Sequence, residues 1–141
     1  MKLTQIQIRL VQRSFGRAAT KKRLVASLFY DRLMELDSTL RPMFKADMEE
    51  QGRKFLRMLA LIVSHLDQPA ELQRLIQTNH ERHLRQGVKA RREDYQTVCS
   101  AFIWALEHAF GKGFTPAMRE AWQATFDFIA DIATDPYATA C

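Results

Sequence analysis

Long hydrophobic runs are missing from this 141-residue chain, and no stretch approaches the roughly 18–20 apolar residues that a membrane-spanning helix needs. The stretch from Met1 to Arg13 interrupts every apolar segment with polar or charged residues, which is not the layout of a secretory signal. Both absences set the cytoplasm as the expected address, with no membrane partner. Cysteine is scarce as well: Cys99 and Cys141 cannot build a disulfide framework or a metal cluster. Cys99 sits in an apolar stretch and is expected to behave as a small buried hydrophobe, while Cys141, the last residue, is expected to be a free thiol. The five glycines and four prolines are expected to punctuate segments rather than interrupt them. No glycine-rich phosphate loop or flavin-binding strand pattern occurs, so the chain carries no reductase module of its own.

What remains is the composition of one folded domain, with 47% hydrophobic and 26% charged residues. The formal net charge of +5 raises nucleic acid as a partner. The bases are scattered, however, in Lys21-Lys22-Arg23, Arg53-Lys54, Arg82 with Arg85, and Lys89 with Arg91 and Arg92. No aromatic residues interleave with them as a base-stacking platform would require, so no nucleic-acid partner is expected.

Helical periodicity dominates the chain. Thr4 is placed to cap a first helix in which Ile8, Val11, Gln12 and Phe15 recur at three-to-four spacing. A second helix is expected over 20–36, with Leu24, Leu28, Tyr30 or Asp31, and Leu33 marking its turns. A third spans 48–66 with a stripe of Gln51, Phe55, Met58, Leu59 and Ile62. A fourth runs over 69–85, opened by Pro69 and capped at Gly87. A fifth covers 92–110 and stops at Gly111-Lys112-Gly113; a sixth covers 115–134, with Pro116 at its first position. The domain is expected over 1–134, followed by a short polar tail at 135–141. Periodicity therefore predicts an all-α domain, and by itself predicts no activity.

Four segments carry more. They are Phe29-Tyr30-Asp31-Arg32-Leu33, followed by Leu40-Arg41-Pro42-Met43-Phe44; Gln51-Gly52-Arg53-Lys54-Phe55-Leu56; Arg82-His83-Leu84-Arg85-Gln86-Gly87-Val88; and Ala121-Trp122-Gln123-Ala124-Thr125-Phe126. In this order and spacing the set resembles the globin family, in particular the bacterial single-domain haemoglobins and the haem domains of flavohaemoglobins. The resemblance runs from about Thr4 to Ala133. It implies a globin fold of about six to eight helices enclosing one haem b, iron protoporphyrin IX.

An iron-ligating imidazole must present a neutral nitrogen, with its other nitrogen held by an acceptor. His65, His80, His83 and His108 compete for that role, and spacing cannot separate His80 from His83, because they lie three residues apart. The resemblance selects His83, since the family places an apolar residue, here Val88, five positions after its ligand. It further implies that Phe44 wedges the haem and that Val88, Phe102, Ile103 and Leu106 line an apolar crevice. Lys54 matches the family's propionate-binding base. On the distal face it pairs Tyr30 with Gln51, a phenol and an amide that both donate to a partly negative bound oxygen. Phe55 follows one turn later, where many relatives carry Leu or Val, and is expected to narrow the pocket.

The match departs from the family in three places. Asn79 and His80 stand where relatives often have Leu-Gly, and about two extra residues separate Val88 from Tyr95. Tyr95 resembles the proximal tyrosine of flavohaemoglobins, but its glutamate partner is not found near Tyr137, and neither Asp131 nor Asp135 matches it cleanly. The implied function is reversible binding of oxygen, and also of nitric oxide or carbon monoxide. The alternatives are nitric oxide dioxygenation fed by an external reductase, with Tyr30 and Gln51 as its working residues, and gas sensing within a larger signalling protein.

Overall fold

The computed structural model describes residues 3–39, 48–85 and 91–134, with side chains at 48, 49, 51, 52 and 83–85 outside the description. Six α-helices occur among the described residues: α1 (Gln5–Ala19), α2 (Lys22–Leu36), α3 (Met48–Ser64), α4 (Pro69–Arg85), α5 (Arg92–Phe110) and α6 (Pro116–Thr134). A 3₁₀ turn, Gly111–Gly113, joins the last two. All six expected helices form within about two residues of their expected bounds. Gly16 and Gly52, however, lie inside α1 and α3 rather than between elements.

Local chemistry explains the ends. The Thr4 hydroxyl accepts from the Gln7 N–H at 3.1 Å, and the Gln7 side chain accepts from the Thr4 N–H at 3.0 Å, a reciprocal cap that satisfies two donors at the start of α1. At the start of α5 the Asp94 carboxylate accepts the Arg91 N–H at 2.8 Å, and Glu93 adds a second negative charge beside the positive end of the helix dipole. Pro116 opens α6, while the Thr115 hydroxyl accepts the Met118 N–H at 3.2 Å. Gly111 ends α5 at φ 55°, a backbone position that side chains resist.

The helices pack in two sets that share α5. α2 lies against α5 and α3, and α6 lies against α1 and α5, with α4 resting on α6. Val11, Val25, Phe29, Leu33, Leu72, Phe102, Leu106 and Trp122 are fully buried where these layers meet. Each such large side chain contributes about 1.5–3 kcal/mol relative to exposure. The one indole N–H in this interior donates to the Ser14 hydroxyl at 2.8 Å, which ties α6 to α1 without stranding a polar group. Gln12 reaches the Val63 carbonyl at 3.1 Å and ties α1 to the end of α3.

In α2 the inward face differs from the expected one. Val25, Ala26, Phe29, Tyr30 and Leu33 are buried, whereas Leu24 is 46% exposed. Apolar residues surround much of this helix, so its periodicity leaves the phase open, and docking against α3 and α5 sets it.

Candidate functional site

Phe29 of α2 and Phe55 of α3 are stacked, their centroids 4.3 Å apart and their planes 9° from parallel. Phe102 of α5 meets both edge-on, at 6.2 Å and 5.8 Å. Behind it, Trp122 and Phe126 of α6 lie at 4.9 Å and 6.1 Å. Four helices thus converge on one aromatic cluster in the offset and edge-on geometries that ring quadrupoles favour. Phe102 has no exposed surface, but Phe55 is only half-buried, and so is Met58 one turn along α3.

Tyr30 follows Phe29 on α2 and is buried in the core, 3% exposed. Gln51 lies one turn before Phe55 and shares its face of α3, which follows from their four-residue spacing. Tyr30 and Gln51 thus lie on α2 and α3, two helices that pack against each other. Phe44 and Val88 lie outside the described residues. Lys54 is exposed, its ammonium 3.6 Å from the Glu50 carboxylate one turn away.

On the other side, α4 carries His80 and, three residues later, His83. The His80 Nδ1 lies 3.1 Å from the Tyr95 hydroxyl of α5, with the two rings 6.4 Å apart. Burial, helped by the neighbouring Asp94 charge, pushes the Tyr95 phenol up to about 12. The phenol thus keeps its proton at physiological pH and shares a hydrogen bond with the His80 Nδ1. The remaining two histidines are used locally: His65 bonds the Leu61 carbonyl at 2.7 Å, and His108 the Trp104 carbonyl at 2.8 Å.

Asp131, one of the two carboxylates considered for Tyr95, is paired instead with Arg92 at 2.5 Å; Asp135 lies outside the described residues. The partner of Tyr95 is a histidine, His80. The contact spans 15 residues and two helices, so no local spacing signals it. Cys99 is buried as expected, and desolvation, with a smaller contribution from Asp127, raises its thiol to about 12. Such a thiol is chemically inert.

The surfaces of Phe55, Met58 and Tyr95 pack against the core yet remain partly uncovered. Partly exposed apolar surface of this kind, on α3 and α5, is what an apolar ligand could cover. Among the described residues no group of three or more His, Cys, Asp or Glu gathers to hold a metal. A single histidine ligand suits an iron whose equatorial bonds come from a macrocycle; the His83 side chain lies outside the description, and the partly exposed apolar surfaces of Phe55, Met58 and Tyr95 are compatible with a haem.

The sequence model of the family described as Globin matches residues 27–133. A flavohemoprotein of Rhodopirellula baltica is 26% identical over 133 residues, covering 92% of this chain and 32% of that protein. A flavohemoprotein of Vibrio cholerae is 23% identical over 136 residues, covering 94% and 34%. The chain thus spans about a third of the length of the curated relatives it matches. Among solved structures, an engineered carbene transferase derived from a Rhodothermus marinus protein described as a nitric oxide dioxygenase superposes with a TM-score of 0.79. It is 23% identical, with 99% of both chains covered. Among the described residues no helix is long and apolar enough to cross a membrane.

Proposed function

The chain belongs to the globin family, and from that premise we propose that it binds one haem b through His83 and takes a diatomic gas on the face of Tyr30 and Gln51. The observation that carries this reading is the burial of Tyr30, next in sequence to the Phe29 that stacks on the half-buried Phe55. Haem, when bound, supplies an iron that accepts oxygen, nitric oxide or carbon monoxide.

The protein's part is to hold and to discriminate. His83 offers an imidazole nitrogen from α4. The Tyr30 O–H and the Gln51 amide N–H are donors that favour a ligand carrying negative charge, so oxygen gains more from them than carbon monoxide does. Phe55 and Phe102 exclude water, which strengthens those hydrogen bonds by lowering the local dielectric. Phe55, held by Phe29, also limits the volume next to Tyr30. Lys54 is positioned on an exposed turn of α3, from which a flexible ammonium can leave Glu50 for a propionate.

A second reading, nitric oxide dioxygenation with electrons from a separate reductase, is favoured by the flavohemoprotein relatives and by the structural neighbour's description. Tyr30 and Gln51 would do the same work in it, steadying charge on the oxygen.

Titration of the purified protein with haemin tests the first reading. A one-to-one complex with a sharp Soret band is expected, and no such band sinks it. Tyr30→Phe is expected to raise the oxygen dissociation rate about tenfold, the equivalent of one hydrogen bond; an unchanged rate removes Tyr30 from the site. Sustained nitrate production with a reductase and nitric oxide supports the second reading, whereas a single turnover does not.

A further inference from the structure

His80 and His83 sit three residues apart on α4 and share one of its faces. Both belong to a residue type that ligates iron, so a helix presenting both toward a haem needs something that decides between them. We infer that Tyr95 makes this choice: its hydrogen bond to His80 withholds that imidazole from the iron and leaves His83 as the sole axial ligand of α4. The inference rests on the haem reading given above.

The hydrogen bond blocks His80 at both nitrogens. Nδ1 is taken directly, 3.1 Å from the Tyr95 hydroxyl. A protonated phenol can give or accept a hydrogen bond; here its O–H is inferred to be the donor and Nδ1 the acceptor. In a neutral imidazole one nitrogen carries the hydrogen, so accepting at Nδ1 puts it on Nε2. Neither nitrogen then has a lone pair to offer iron. The lock also fixes the ring's direction, because Tyr95 sits on α5 in a half-buried position next to the buried Asp94 carboxylate that caps that helix. Asp94 is anchored in turn by the Arg91 N–H at 2.8 Å, which fixes the turn of α5 that carries Tyr95. Tyr95 is a positioning residue in this scheme. It acts on the iron through the histidine it removes from competition.

The test uses haem-loaded protein and reads coordination by resonance Raman and electronic spectra of the ferrous state. His83→Ala is expected to lose the iron–histidine signature, and added imidazole to restore it, which shows that the pocket is still folded. The double variant H83A/Y95F is expected to raise the histidine-ligated fraction about tenfold over His83→Ala. Adding H80A is expected to abolish that gain. The inference is overturned if the double variant gains nothing while imidazole still restores both proteins. It is equally overturned if His83→Ala alone stays ligated through His80, for Tyr95 then withholds nothing.

A second measurement does not depend on which residue binds the iron. Nitrogen-15 spectra of the carbon monoxide-bound ferrous protein report the His80 tautomer. The hydrogen is expected on Nε2 in the wild type and spread over both nitrogens in Tyr95→Phe; a hydrogen on Nδ1 in the wild type overturns the inference. Failure of the haem reading looks different, because the wild type itself would then show no Soret band.

Discussion

Phe29 and Phe55 lie face to face across the α2–α3 contact, 4.3 Å between centroids. One partner, Phe29, is almost wholly buried, and the other is half-buried beside the proposed gas site. A single pair therefore serves the core and the pocket together. Phe55→Val is expected to cost about 1–3 kcal/mol, as a lost stack plus partial burial predicts, read from urea unfolding. The same variant should accelerate gas association after flash photolysis, because the smaller side chain opens the space the ring restricts. An unchanged association rate would place the ring away from the ligand's path.

The Trp122 indole N–H and the Ser14 hydroxyl form a long-range polar link inside the core, at 2.8 Å. Ser14→Ala leaves that N–H buried without its acceptor, and the expected loss is about 1–3 kcal/mol. Denaturant midpoints at constant slope measure it. A change below about 0.3 kcal/mol would mean that the indole finds another acceptor.

Two glycines should respond oppositely to the same change. Gly111 adopts φ 55°, so Gly111→Ala forces a side chain into the left-handed region and is expected to cost about 1–2 kcal/mol. Gly16 lies in exposed helix, with nothing within 4 Å of an added Cβ, and Gly16→Ala is expected to stabilise by about 0.5–1 kcal/mol. Thermal unfolding of the two single variants provides the comparison.

Alkaline pH should weaken the fold in a defined window. Cys99 and Tyr95 are raised from 9.0 and 10.0 to about 12 in the folded chain. Both are acids held neutral by burial, so above pH 9 the unfolded state releases protons that the folded state retains. Stability is full below about pH 9, declines as Cys99 and then Tyr95 enter their windows, and goes on declining toward pH 12. The slope approaches about 1.4 kcal/mol per pH unit for each group. Tyr95→Phe should remove the decline contributed above pH 10, as followed by urea unfolding from pH 7 to 11. The same slope in wild type and variant would count against a raised phenol.

The helices that carry the candidate residues were legible in the chain because the family's spacing survives in it. Tyr30, Phe55 and Phe102 fall on the helices the pattern predicted, and the last two meet in one cluster. The partner of Tyr95 was not legible. The family's pattern implies a carboxylate near the carboxyl end, but Asp131 is held by Arg92, and the phenol bonds His80 instead. Sequence spacing ranks residues along a helix and carries no information on which helix faces which.

The same division holds for the whole molecule. The sequence alone determined six helices, their ends and an all-α domain, because caps, prolines, glycines and a 3.6-residue period act within a few residues of each other. Only the tertiary structure decided which face of α2 turns inward, how Phe55 lies on Phe29, and that His80 is taken by Tyr95. Those outcomes depend on side chains brought together across the chain. They are settled when buried surfaces must fit and buried polar groups must each find a partner.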